Sequence, residues 1–196
     1  MNSNKLQGKD LINIGIYTAV YFVVCCVIAF TGYIPIFLPL LTVLIPVVCG
    51  VPFMLYITKI KKFGMATISG LIIGIGMFIT GMGYFSIFTG LIAGLFTDLI
   101  LKSGGYKSKN KTILANAIFN LWLVGNYLPF YITRKSYLAS MDASGNYAAG
   151  YTKEVASLLP YWMLPVLIIA CLVFGYIGGV IGNKLLKKHF KKAGIA

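Results

Sequence analysis

Six long apolar runs dominate this chain of 196 residues, and each is long enough, or nearly so, to cross a bilayer. They cover residues 11–30, 36–57, 65–80, 85–101, 112–132 and 158–186. A helix needs roughly 17–25 apolar residues to span the hydrocarbon of a membrane. The runs therefore predict an all-α integral membrane protein with six transmembrane helices in a single domain over residues 1–196.

Basic residues fall in alternate gaps between these runs. Fourteen of the seventeen belong to one set of helix ends, namely Lys5, Lys9, Lys59, Lys61, Lys62, Lys102, Lys107, Lys109, Lys111, Lys184, Lys187, Lys188, Lys191 and Lys192. The other three are Arg134, Lys135 and Lys153. The positive-inside rule then predicts a multi-pass membrane protein with both termini in the cytoplasm. The first run has no convincing cleavage site at its end, so we expect it to be retained as a helix.

The net charge indicates which class of partner the chain binds. The net charge of +13 comes from lysines at helix ends, where anionic lipid attracts them. The bilayer is therefore the expected partner, and nucleic acid is not, because the chain has no basic soluble module.

The four cysteines lie inside apolar runs without Cys-x-x-Cys spacing, which favours apolar packing over a disulfide or a metal site; they are Cys25, Cys26, Cys49 and Cys171.

The few titratable groups do not form an enzyme site. The acidic residues are Asp10, Asp98, Asp142 and Glu154, and the single histidine, His189, lies in the lysine-rich tail. Hydrolysis would need paired acids, a metal cluster, or a nucleophile with a base, so neither catalysis nor an intrinsic cofactor is expected. Asp98, near the end of the fourth run, has two interpretations: a local ion pair with Lys102, or a contact with a basic group on a cytoplasmic partner.

Small residues recur at one-turn spacing in several runs. The glycine pairs are Gly70 and Gly74, Gly90 and Gly94, Gly175 and Gly179, and Gly178 and Gly182. Such pairs let helix backbones approach closely in a membrane, and they predict internal packing. Gly15 and Ala19 form a similar pair on the first run, on a face that packs either internally or against another protein.

Aromatic and amide side chains gather at the lysine-poor helix ends. Asn116, Asn120, Tyr127 and Tyr131 share one stripe if residues 112–132 form a single helix. Buried amides need hydrogen-bond partners, which either neighbouring helices or a ligand can supply. Tyrosines and tryptophans at this level also suit an ordinary interfacial belt.

The segment of residues 133–157 is polar and contains three tyrosines, Tyr137, Tyr147 and Tyr151. Long connections without obvious regular structure often act as lids. We expect this lid-like loop to close over an outward-facing pocket for a flat or aromatic compound.

Two stretches carry a family resemblance, KDLINIGIYTA from residue 9 and DLILKSGGYKS from residue 98. With the helix count and the small-residue pair on the first helix, the whole chain resembles an S component, the substrate-binding subunit of an energy-coupling factor (ECF) transporter. More narrowly, it is similar to the Trep-Strep, or MptD-like, family.

The resemblance implies a six-helix S-component bundle in an ABC-type importer. In S components an Ala-x-x-x-Ala motif on helix one contacts the transmembrane coupling subunit, and the matching positions here are Gly15 and Ala19. Two ATPase subunits would use the ATP, because this chain has no P-loop motif. With Asp98 from the charge pattern, these residues form the predicted partner interface.

The resemblance also implies that a scarce nutrient is captured at the outer face. The predicted substrate-binding residues are Tyr33, Met82, Tyr84, Asn120, Asn126, Tyr127, Tyr131 and Trp162. Some similar proteins are associated with haem uptake, and a mouth containing Met77, Met82 and Tyr84 suits a tetrapyrrole as well as a vitamin. The alternatives are a non-transporting membrane scaffold or assembly protein, and a self-sufficient channel or carrier.

Overall fold

The computed structural model describes residues 6–190, and side chains for residues 6–188. Within these residues every regular element is helical. The helices are α1 (Gly8–Ala29), α2 (Phe37–Lys59), α3 (Met65–Ile79), α4 (Phe85–Ser103), α5 (Lys109–Phe119), α6 (Pro129–Ile132), α7 (Arg134–Ala143), α8 (Tyr151–Leu158) and α9 (Met163–Leu185). The predicted charges at Lys5, Lys191 and Lys192, and the side chain of His189, lie outside the described part of the chain.

Four helical stretches among the described residues are long and apolar enough to cross a membrane. They are Gly8–Tyr33, Phe37–Lys59, Phe85–Ser103 and Met163–Lys188. The third predicted span, α3, is apolar but has only 15 residues. The all-helical membrane architecture is thus confirmed, while six crossings and the orientation of the termini stay predictions.

The fifth predicted span is not one continuous helix, so that prediction is wrong. After α5 the chain winds as a 3₁₀ helix over Asn120–Asn126, and α6 is a single turn that begins at Pro129. Pro129 has no backbone N–H, so it cannot continue the ladder of helical hydrogen bonds at that point. Gly125 also packs so closely against Ser86 of α4 that a Cβ atom would collide with the Ser86 backbone. The tighter winding accommodates this close approach.

Glycines make the helix contacts that the sequence predicts. A Cβ atom on Gly70 would collide with the backbone of Gly90, and the reverse also holds, so α3 and α4 pack with their backbones nearly touching. On α9, Gly175 faces α5 at Ala117, while Gly178 faces α2 at Pro46. One helix thus packs against two others through two glycine faces, and the packing prediction is confirmed.

The lysine-bearing helix ends lie together. Lys62 Nζ donates to Asp10 Oδ2 over 2.7 Å, which ties the α2–α3 connection to the start of α1. Lys102, near the end of α4, lies over the Phe63 ring, 5.4 Å from its centroid. We call this end of the bundle, where α1 begins and α2 and α4 end, the lysine-rich end. The opposite end is the far end.

Asp98 has a different role from either one expected. Its side chain is 0% exposed and accepts hydrogen bonds from the backbone nitrogens of Ala66 (3.1 Å) and Thr67 (2.9 Å) and from Thr67 Oγ1 (2.6 Å). It therefore caps the start of α3, whose N-cap residue is Gly64, and the helix dipole favours a negative charge there. The predicted ion pair with Lys102 is wrong, because the carboxylate is bonded to the start of α3 instead. Its burial leaves no exposed group for the other predicted contact, with a basic group on a cytoplasmic partner.

Residues 133–157 are also more regular than expected. Two short helices, α7 and α8, replace the predicted loop. We call residues 133–157 the lid segment. Its two ends are held together by Arg134, as described below.

Candidate functional site

A cavity of about 290 Å³ lies at the far end of the bundle. Its wall comes from the end of α1, the start of α2, the end of α3, the 3₁₀ helix, α6 and the lid segment. The helices of the bundle form the floor and sides, and the lid segment supplies five lining residues, Tyr137, Met141, Asn146, Tyr147 and Tyr151.

The 3₁₀ helix positions the polar group of the floor. With about three residues per turn, a 3₁₀ helix brings Leu123 and Asn126 to the same side, and both line the cavity. Ser86 Oγ donates to Asn126 Oδ1 over 2.5 Å, which fixes the amide. Among the described residues, the Asn126 Nδ2 group has no acceptor, so it is available to a bound molecule.

Tyr127, the next residue, is held against the start of α2. Its hydroxyl donates to the carbonyl oxygen of Leu38 over 2.6 Å, and both residues line the cavity. This hydrogen bond closes the side of the cavity between α2 and the 3₁₀ helix, and it leaves the tyrosine ring as part of the wall.

Aromatic rings join the lid segment to the bundle. Tyr147 stacks on Tyr151 with ring centroids 4.6 Å apart, and it also contacts Tyr33 at 5.6 Å. The Tyr151 hydroxyl donates to the carbonyl oxygen of Gly32 over 2.5 Å. We call these contacts of Tyr147 and Tyr151 with Gly32 and Tyr33 the aromatic seam. Because it is the edge where the lid segment meets the 3₁₀ turn Phe30–Tyr33, which follows α1, opening the cavity there requires the seam to part.

The lid tyrosines are neutral at physiological pH. Burial raises the pKa of the Tyr137 hydroxyl to about 12 and raises the pKa of Tyr151 above its ordinary value, with neighbouring tyrosines adding to both effects. The hydroxyls therefore act as neutral donors and acceptors.

Arg134 fixes the two ends of the lid segment to one another. Its guanidinium donates to the carbonyl oxygens of Phe130 (3.2 Å), Leu159 (2.7 Å) and Ala156 (2.5 Å), and it lies over the Tyr161 ring. Three carbonyl partners satisfy the free backbone groups where α6 and α8 end. The lid segment is thus clamped at its base and meets the bundle at the aromatic seam.

Half of the predicted substrate-binding residues line the cavity. Tyr33, Met82, Asn126 and Tyr127 do so, as does Met77, and Asn120 does not. Asn120 is 0% exposed: its Oδ1 accepts from the Tyr21 hydroxyl (3.1 Å), and its Nδ2 donates to the carbonyl oxygen of Asn116 (2.7 Å). It links helices and is corrected from a ligand contact to a structural residue.

Three other predicted residues lie away from the cavity. Tyr84 and Trp162 are 51% and 68% exposed, which suits an interfacial belt better than a pocket. Tyr131 packs edge-on against Tyr161, with ring centroids 6.2 Å apart. The resemblance to S components assigned all three to the pocket. For Tyr131 the stripe on a continuous fifth helix was a further reason, and the change to 3₁₀ winding at Asn120 removes that stripe.

Other lining residues were not predicted as ligand contacts. The sequence predicts Cys26 only as a packing residue, and it does not distinguish Met141 or Asn146. For the lid residues, the polar and tyrosine-containing composition of residues 133–157 was the sequence feature that indicated a role at the pocket. No single-residue pattern pointed to Cys26.

The predicted partner face is open. Gly15 and Ala19 are both exposed on α1, and a Cβ atom on Gly15 would meet nothing within 4 Å. The neighbouring Leu11, Ile12 and Ile16 are exposed as well. Among the residues that the structure describes, the pair is therefore not packed against a neighbouring helix, in contrast to the glycines of α3, α4 and α9.

One comparison with known proteins gave a match. The profile of a family described as "hypothetical bacterial integral membrane protein (Trep_Strep)" matches residues 8–192. No curated protein and no solved structure matches the chain.

Proposed function

The chain belongs to the Trep_Strep family of hypothetical bacterial integral membrane proteins, and from that premise we propose that it is the substrate-binding subunit of an ECF-type importer. In this proposal the six apolar segments cross the bacterial cell membrane, both termini are cytoplasmic, and the far end faces outward. The cavity captures a scarce nutrient, either vitamin-like or a tetrapyrrole such as haem.

The observation that carries this proposal is the cavity beneath the lid segment. A pocket with an aromatic wall, one fixed amide and a separate closing segment has the properties of a small-molecule site. A scaffold or assembly protein, the alternative function, has no need of such a pocket. The open face around Gly15 suits both functions, because each requires a partner.

The second support is the position of that open face. Gly15 lies in the first half of α1, toward the lysine-rich end, and Ala19 lies near its middle, whereas the cavity lies at the far end. Small residues without internal neighbours let another helix approach closely in lipid. Capture and coupling would then occupy opposite ends of one bundle, with the coupling subunit against α1 and its two ATPase subunits consuming ATP.

The test is co-purification with a tagged ECF coupling module. The double variant Gly15→Leu with Ala19→Leu fills the open face without touching the rest of the chain, and we expect it to fold normally but lose association. Val23→Leu with Val27→Leu is the matched control, since those residues are also exposed on α1, with the same spacing. Equal recovery of both double variants with the module would contradict the proposed interface.

A further inference from the structure

We infer that the cavity binds a compact, uncharged, flat ligand that carries a hydrogen-bond acceptor such as a ring carbonyl or an amide. This inference deepens the proposed function, on which it rests, by assigning the ligand class of the same site. It follows from the charge and size of the cavity, the arrangement of its rings, and the Asn126 amide that Ser86 fixes in its floor.

Charge is the first step. Among the described residues that line the cavity, none is Lys, Arg, His, Asp or Glu. The polar groups are tyrosine and threonine hydroxyls and the amides of Asn126 and Asn146. A charged group that leaves water for such a wall finds no counter-ion, which is strongly unfavourable. Anionic and cationic ligands are therefore both disfavoured.

Aromatic cages can hold cations, but the rings here are arranged differently. Tyr147 lies against Tyr151 with an interplanar angle of 22°, and Phe30 against Tyr33 with 17°. Ring faces that stack on each other are not free to surround an ammonium group, which binds over a ring face. Stacked rings instead extend a flat wall for another flat molecule.

Size is the second step. The volume of about 290 Å³ lies at the lower limit of the range of about 300–1,000 Å³ for small-molecule pockets. A ligand of one or two fused rings matches it better than a tetrapyrrole does. Haem also carries two propionates, for which the wall supplies no basic side chain.

The free amide is the third step. The Ser86 hydroxyl already donates to Asn126 Oδ1, so Asn126 Nδ2 remains as a donor at the floor of the cavity. Tyr127 already uses its proton on Leu38, and Tyr151 uses its proton on Gly32. A ligand acceptor placed at Asn126 Nδ2 would thus satisfy the one fixed donor of the floor.

The test uses Cys26 as a reporter in the purified chain, without partner subunits. Cys26 lines the cavity and is half-buried, whereas Cys25, Cys49 and Cys171 are 0% exposed. Labelling by N-ethylmaleimide should therefore report on Cys26, and Cys26→Ser should abolish it. Benzamide, benzoate and benzamidine have nearly the same shape but are neutral, anionic and cationic.

We expect benzamide to halve the labelling rate at a concentration about fivefold or more below that of either charged probe, because a charged group finds no counter-ion in the wall. Asn126→Asp keeps the acceptor for Ser86 but removes the amide donor, so it should weaken protection by benzamide about fivefold and favour benzamidine. Asn110→Asp, exposed at the start of α5, is the control and should change nothing.

Several results would overturn the inference. They are equal or better protection by a charged probe, no protection by benzamide up to its solubility limit, and a Soret band from haem bound at one equivalent. Because the assay needs only the isolated chain, its outcome is independent of association with the coupling module. If the chain binds benzamide but does not associate with the coupling module, the assigned ligand class stands and the transporter proposal is wrong.

Discussion

Asn120 and Asn126 are six residues apart in the sequence but have different roles. Asn120 is enclosed by Tyr21 and by the carbonyl oxygen of Asn116, whereas Asn126 opens on the cavity. The sequence alone shows two amides in one apolar run. It cannot show which amide is enclosed, because that depends on the neighbours that the tertiary fold brings to each: Tyr21 to Asn120, and Ser86 to Asn126.

Substituting aspartate for Asn120 and, separately, for Asn126 distinguishes a structural residue from one that lines the cavity. Asn120→Asp places a negative charge in a sealed site and should lower the free energy of unfolding by about 3 kcal/mol or more. Asn126→Asp keeps the Ser86 hydrogen bond beside an open cavity, so its cost in stability should be much smaller. Thermal unfolding in detergent measures both, and equal losses would contradict the assignment of Asn120 as structural.

Asp98 provides a second residue-scale prediction. Asp98→Asn retains the shape but removes the charge at the start of α3, and it should cost about 0.5–2 kcal/mol of stability. Glu154→Gln, at an exposed position on α8, is the control and should stay within about 0.5 kcal/mol. Unchanged stability of Asp98→Asn, together with loss of partner association, would restore the partner contact first predicted for Asp98.

At the scale of elements, the apolar runs predicted the positions of the long helices that pack through their apolar faces. The runs 36–57, 65–80 and 85–101 correspond closely to α2, α3 and α4. The break after Phe119 was missed because Gly125 acts through its close contact with Ser86 and Thr89 of α4, which no local pattern reveals. The helices of the lid segment were missed because their sequence is polar and small, a composition shared with loops.

The lid segment also provides a prediction for pH. Tyr137 is neutral in the folded state with a pKa of about 12, above its value of about 10 in an unfolded chain. Its contribution to stability is complete below pH 10 and is lost as the pH rises from about 10 to about 12. Thermal unfolding between pH 8 and 11.5 should show a smaller alkaline loss for Tyr137→Phe than for the unsubstituted chain. Identical profiles would contradict the burial of this hydroxyl.

At the scale of the whole molecule, the structure separates the two ends that the lysine pattern distinguishes. Asp10, Lys62 and Asp98 lie at the lysine-rich end, and the cavity lies at the other. The alternation of charge predicted this separation without any tertiary information, because successive apolar helices return the chain to the same end every second gap.

Orientation in the membrane is the corresponding prediction. In a Cys26→Ser background, Lys153→Cys should react with an impermeant maleimide added to intact cells, and Lys107→Cys should react only after the membrane is opened. Both lysines are exposed, on the lid segment and on the α4–α5 connection respectively. The reverse labelling pattern would place the cavity toward the cytoplasm and contradict its role in uptake.

The central claim is that this chain is the substrate-binding subunit of an ATP-driven importer. Its most direct test is native mass spectrometry of the complex purified from membranes of its own host through a tag on this chain. We predict a mass equal to this chain together with one transmembrane coupling subunit and two ATPase subunits. Recovery of the chain alone, or with proteins that do not bind ATP, would contradict the claim.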